Sequence, residues 1–129
     1  MRIAGLLAVP AILVAAALTA QAPLPAPDPF TEFSDNCAAC HQPDGKGIEG
    51  AFPALAGDRF VLGAAAEPIK VVLDGRAGMP AFRIDLSDAQ IAAALTYVRT
   101  SWGNKAPPVA TADVAALRGN VATPKNSGH

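Results

Sequence analysis

The sequence predicts an all-α fold of three to five short helices joined by long ordered loops. Three observations carry this. Residues 88–102 place Ile91, Ala94, Leu95, Val98 and Trp102 on one helix face at a 3.6-residue period, behind a capping-box pair, Ser87 and Gln90. The other short apolar segments have no evident partner strands. Residues 42–58 and 76–85 are punctuated by glycine and proline and carry few apolar side chains.

The elements follow in chain order. Met1-Arg2 gives a positive start, and the chain then runs apolar from Ile3 to Ala20 with a small-residue end. That is the layout of a secretory signal, with a cut expected after Ala20. An uncleaved membrane anchor is the alternative, since eighteen apolar residues reach the lower edge of spanning length. Residues 21–29 hold four prolines and read as an extended linker. The domain is expected over 30–105, opening with a helix over 30–40 in which Phe30 and Phe33 share a face. Residues 42–58 follow as an ordered loop with Ile48, Phe52 and Leu55 turned inward. A helical turn over 59–64 leads to a helix over 67–74, with Pro68 in its first turn and Gly75 at its end. Its β-branched residues leave a strand as the alternative. After the loop 76–85 comes the 88–102 helix, which Gly103 and Asn104 end. Residues 106–129 form a C-terminal extension, with a helix over 112–118 capped by Thr111 and a mobile end.

Composition narrows the class. The chain has 129 residues, 51% hydrophobic and 16% charged, enough for one domain. Without residues 1–20, nine Lys or Arg stand against eleven Asp or Glu, a formal charge of −2. The charges are scattered, which argues against a nucleic-acid surface. No paired carboxylates or nucleophile–base arrangement is recognisable, so the chain does not read as an enzyme. A chain this rich in loops needs a large apolar object at its centre to complete a core.

Cys37-Ala38-Ala39-Cys40-His41 supplies the chemistry. A disulfide across two residues would close almost no chain and leave the histidine unexplained. A thioredoxin-like pair belongs between a strand and a helix, a pattern absent here. A structural zinc site needs about four ligands, and His129 at the terminus is the only further one available. The spacing instead matches c-type haem attachment: two thiols add to the two vinyl groups, and the next histidine reaches the iron. Met79 is the one methionine beyond Met1, set between Gly78 and Pro80 in a turn. It is the candidate for the sixth position; His129 and an open position are the alternatives.

The chain resembles the class I cytochromes c, small His/Met-ligated electron carriers, from about Phe30 to Asn104. The resemblance rests on Cys37 to His41, on Gly50-Ala51-Phe52-Pro53-Ala54-Leu55, and on Gly75-Arg76-Ala77-Gly78-Met79-Pro80. Tyr97 and Trp102 on the last helix add to it. It implies an α-helical fold wrapped around one covalent haem, with its iron held by His41 and Met79. It implies that the first helix crosses the 88–102 helix, with Phe33 near Ala94 and Val98. It implies that the Pro53 carbonyl accepts the Nδ1 proton of His41. Leu55, Leu73, Phe82 and Val98 become candidates for the haem wall, and Tyr97 for the wall or a propionate. The stretch from Tyr97 to Arg118 is most similar to cytochrome modules of periplasmic dehydrogenases. The expected function is therefore periplasmic one-electron transfer from a dehydrogenase to a membrane oxidase or cytochrome complex of the respiratory chain. Ala38, Ala39, Ala77, Pro80 and Ala81 are expected to form an uncharged contact patch. A haem-based gas sensor and a structural haem subunit of a dehydrogenase complex are the competing expectations.

Overall fold

The computed structural model describes residues 22–119. They form six short helices: α1 (Pro29–Asn36), α2 (Ala38–His41), α3 (Arg59–Leu62), α4 (Ala66–Asp74), α5 (Asp88–Thr100) and α6 (Thr111–Gly119). There is no sheet among the described residues. Two isolated antiparallel bridges, Ile48 with Phe52 and Arg76 with Met79, close tight turns. The proposed signal, residues 1–20, and the end of the chain from 120 lie outside the described residues, as does His129.

The sixth helix comes from a break at Cys37. The expected helix over 30–40 stops there, where Cys37 adopts φ −125° and ψ −35° and donates its N–H to the Phe33 carbonyl. One turn, α2, then restarts and carries Cys40 and His41. The start also lies earlier than Phe30: Asp28 caps α1, accepting from Thr31 N–H at 2.8 Å, with Pro29 at the first helical position. Segment 67–74 is helical rather than extended, and Gly75 ends it at φ +73°. The Ser87/Gln90 capping box forms as the sequence predicts.

α5 is the spine. α1 packs against it most extensively, and α6 packs against both α5 and α4. Two apolar clusters result. One joins Ile69 and Leu73 of α4, Ile91 and Leu95 of α5, Val109, and Val114 of α6. The other gathers Phe33, Val61 and Val98, with Leu55, Tyr97 and Trp102 packed against it. Phe33 is 1% exposed and stacks on Tyr97, with ring centroids 5.0 Å apart.

Four expectations change. Residues 106–119 do not lie outside the domain: Val109 and Val114 are fully packed in its core. α6 begins at Thr111 itself, with the Ala110 carbonyl accepting from Asp113 N–H. α5 stops at Thr100, short of Trp102. Trp102 turns back at φ +54°, and its indole N–H donates to the Pro43 carbonyl at 3.0 Å. Its ring covers Gly45, where any Cβ would collide with it. Finally, Ile48 does not turn inward: it is 45% exposed in the turn it closes with Phe52, whereas Phe52, 38% exposed, faces the cleft beside His41.

Polar side chains bind the loops to this frame. Asn104, 4% exposed, accepts from Gly57 N–H at 2.8 Å and donates to the Leu55 and Val98 carbonyls at 3.1 and 2.7 Å. Arg99, 3% exposed, donates to the carbonyls of Val61, Gly63 and Pro107. Both residues satisfy carbonyls of loops and of the last turns of α3 and α5.

Candidate functional site

The site lies where α2, the 42–58 loop, α4 and the 75–82 loop meet. His41 is 9% exposed, and its Nδ1 lies 2.9 Å from the Pro53 carbonyl oxygen. A carbonyl oxygen only accepts, so Nδ1 is the donor, and in the neutral ring the lone pair is then on Nε2. The loop is held in that position by backbone bonds. Gly47 N–H donates to the His41 carbonyl at 2.9 Å, and Leu55 and Ala56 N–H both donate to the Gly45 carbonyl.

Two cavities of about 250 and 130 Å³ open beside His41, and Cys37, His41, Pro53, Val71, Arg76 and Met79 line both. Cys40, Phe52 and Phe82 complete the larger cavity. Leu55, Val72, Leu95 and Val98 complete the smaller. A larger open groove of about 690 Å³, between residues 24–27 and α5, holds none of the cysteine, histidine or methionine side chains.

Both cysteines are free thiols; Cys37 is half-buried and Cys40 exposed. Burial, reinforced by the neighbouring Cys40 and by Glu32, pushes the Cys37 thiol up to about 11. An attacking redox cysteine has the opposite shift, and no strand precedes the pair among the described residues, so both features run against a thioredoxin-like site. Met79 follows a tight turn in which Ala77 takes φ +51°, and its backbone pairs with that of Arg76. Arg76 is the one Lys or Arg lining either cavity, and its guanidinium lies 4.7 Å from the centre of the Phe60 ring.

The structure thus brings Cys37, Cys40, His41, Pro53, Met79 and Phe82 around the larger cavity, and Leu55 and Val98 around the smaller. It does not bring Leu73 or Tyr97 to either. Leu73 is fully buried between α4 and its neighbours in the first cluster. The Tyr97 ring is enclosed by Phe30, Phe33 and Trp102. Val71, Val72 and Leu95 stand in the walls instead, and their 3.6-residue spacing alone did not separate them from core residues.

The donor set fits a c-type haem. Two free thiols sit two residues apart, an imidazole presents Nε2, and a thioether lines the same apolar cleft. The Cys-x-x-Cys spacing is that of a haem c attachment motif.

Fold and site together define a class I cytochrome c-like domain. Residues 25–98 match the family described as cytochrome c oxidase, cbb3-type, subunit III, and the chain belongs to that family. It is 37% identical over 109 residues to the cytochrome c subunit of a quinone alcohol dehydrogenase from Gluconacetobacter polyoxogenes, covering 74% of this chain and 23% of that protein. It is 38% identical over 103 residues to the gluconate 2-dehydrogenase cytochrome c subunit of Pantoea cypripedii, covering 67% and 23%. It is 34% identical over 110 residues to cytochrome c-552 of Thermus thermophilus, covering 69% of this chain and 83% of that one. The chain spans about a quarter of the length of the dehydrogenase subunits it matches.

Proposed function

We propose that this chain is a periplasmic one-electron carrier holding one haem c covalently through Cys37 and Cys40, with His41 and Met79 as axial ligands. One observation carries the reading: His41, oriented by Pro53, faces the same apolar cleft as both free thiols and Met79. When bound, the haem supplies a reversible one-electron change at its iron.

The chain's own residues do the rest. Pro53 fixes the His41 tautomer and makes Nε2 a better donor. The Met79 thioether is a soft ligand, and Val71, Leu95 and Val98 keep water from the cleft. Both features favour the reduced state. Ala39, Ala77, Pro80 and Ala81 are exposed beside Cys40 and form an uncharged rim suited to a brief encounter.

Electrons come, in this reading, from a dehydrogenase and pass to a membrane oxidase or cytochrome complex. The kinship with dehydrogenase cytochrome c subunits supports this choice. Residues 1–20 direct export, or tether the carrier to the inner membrane if uncleaved. Residues 21–27 are the linker, and the haem domain takes in α6.

The test is an absorption spectrum of the exported protein, oxidised and reduced, extended into the near infrared. A c-haem spectrum with the weak band of a sulfur–iron bond is expected. A c-haem spectrum without that band would shift the reading to an exchangeable distal position and a sensing role. No haem, after expression with attachment machinery, would overturn the proposal.

A further inference from the structure

The geometry points to Arg118 and Arg83 as positioning residues for Met79, a clasp through which α6 holds the 75–82 loop shut. The inference rests on the reading of Met79 as an axial ligand. The loop leaves α4 at Gly75, where a Cβ would lie only 2.7 Å from the Met79 carbonyl oxygen. Its turn closes on two backbone bonds, Arg76 N–H to Met79 O at 3.1 Å and Met79 N–H to Arg76 O at 2.9 Å. The far end returns to α4: Phe82 N–H donates to the Val72 carbonyl at 2.9 Å, and Arg83 N–H to the Leu73 carbonyl at 3.2 Å. Arg83 therefore carries the closing end of the loop that presents Met79.

The side chain of Arg83 faces two ways. Its Nε and Nη2 donate to Asp74 Oδ1 at 3.0 and 2.6 Å, and its Nη1 donates to the Arg118 carbonyl at 2.9 Å. Arg118 reciprocates, donating to the Arg83 carbonyl, to the Leu86 carbonyl at 2.8 Å and to Asp88 Oδ1 at 2.5 Å. Each arginine thus binds the other's backbone. Together they join the end of α4, residues 83–88 and the last turn of α6. Arg118 and Asp88 are 25% and 27% exposed, so their pair is less screened than an ordinary surface pair, whereas Asp74, 57% exposed, leaves the Arg83–Asp74 pair open to solvent. Val114 and Leu117 seat α6 on the core, which makes it a firm support. A loop pinned at its closing end opens less often, and the thioether it carries leaves its position less often.

Imidazole is the probe. Added to the oxidised holoprotein, it takes the place of methionine only while the loop is open, so its binding rate counts openings. Arg118→Gln is expected to raise that rate at least about tenfold, and to lower the temperature at which the sulfur–iron band disappears. Phe33→Leu is the control: it loosens the α1–α5 packing and global stability in a cluster that holds no residue of the 75–82 loop, so its imidazole rate should stay within about twofold of wild type. Arg118→Lys keeps a charge without the fork and should fall between wild type and Arg118→Gln. If Arg118→Gln does not fold, Asp88→Asn carries the same test with both arginines in place. An unchanged rate in the clasp variants, or equal acceleration by Phe33→Leu, overturns the clasp while leaving Met79 a ligand. A wild-type holoprotein without the sulfur–iron band overturns the ligand and the clasp with it.

Discussion

Asn104 does at the scale of one residue what no helix does here: its amide serves three backbone groups on two segments. Removing it leaves the buried Val98 carbonyl without this donor and takes a partner from the part-buried Leu55 carbonyl and the Gly57 N–H. Asn104→Ala is therefore expected to cost about 2–4 kcal/mol in denaturant unfolding. Its sequence signal pointed only to a helix end, because a clamp between distant segments has no local period. Arg76 makes a different prediction. A lone cation beside the cleft favours the less positive, reduced centre. Arg76→Gln should lower the midpoint potential, on the order of tens of millivolts, in a redox titration of the holoprotein. The reactive residues themselves were plain in the sequence. Cys37, Cys40 and His41 form one short motif, and Met79 is the one candidate thioether, so chemistry and scarcity alone make them the candidates. The apolar walls were legible only in part: Leu55, Phe82 and Val98 line the cavities as expected, while Val71, Val72 and Leu95 were not singled out. Val71, Val72 and Leu73 are consecutive, about 100° apart around α4, and it is the packing of α5 and α6 on α4 that puts Leu73 in the core.

Helix ends were better signalled than helix interiors. Ser87 with Gln90, and Gly75 after Asp74, act through neighbours in the chain and so show in the chain. Asp28 belongs with them, although the prolines around it read as linker. Its carboxylate accepts from both the backbone N–H and the hydroxyl of Thr31, and these bonds hold its pKa below the ordinary value of 3.8. A depressed carboxyl stabilises the fold above its unfolded pKa, and that contribution is lost as pH falls through the folded value. The α1 amides should accordingly lose hydrogen-exchange protection as pH drops below about 3.8, and Asp28→Asn should remove that pH dependence while keeping the cap. The break at Cys37 was hidden for the opposite reason. Cys37 has no helix-breaking character; the backbone turns there so that Cys40 and His41 reach the 42–58 loop.

For the molecule as a whole, two apolar clusters flank one cleft, and α5 belongs to both. The all-α class followed from the α5 period and the missing strands. The inclusion of α6 did not, since its apolar face is short and its decisive residue, Val114, is a single valine among alanines. Phe33 is the heaviest side chain fully buried in the second cluster. Phe33→Ala should cost about 3–5 kcal/mol in denaturant unfolding, with Tyr97 and Trp102 losing a stacking partner together. Trp102 has an optical consequence as well. It is the chain's single indole, anchored on the Pro43 carbonyl and lying over Gly45, while its own segment has already left α5. Its fluorescence is therefore a signal of loop docking rather than of helix content. A transition followed by emission measures the undocking of residues 43–45, while circular dichroism on the same sample follows the helices.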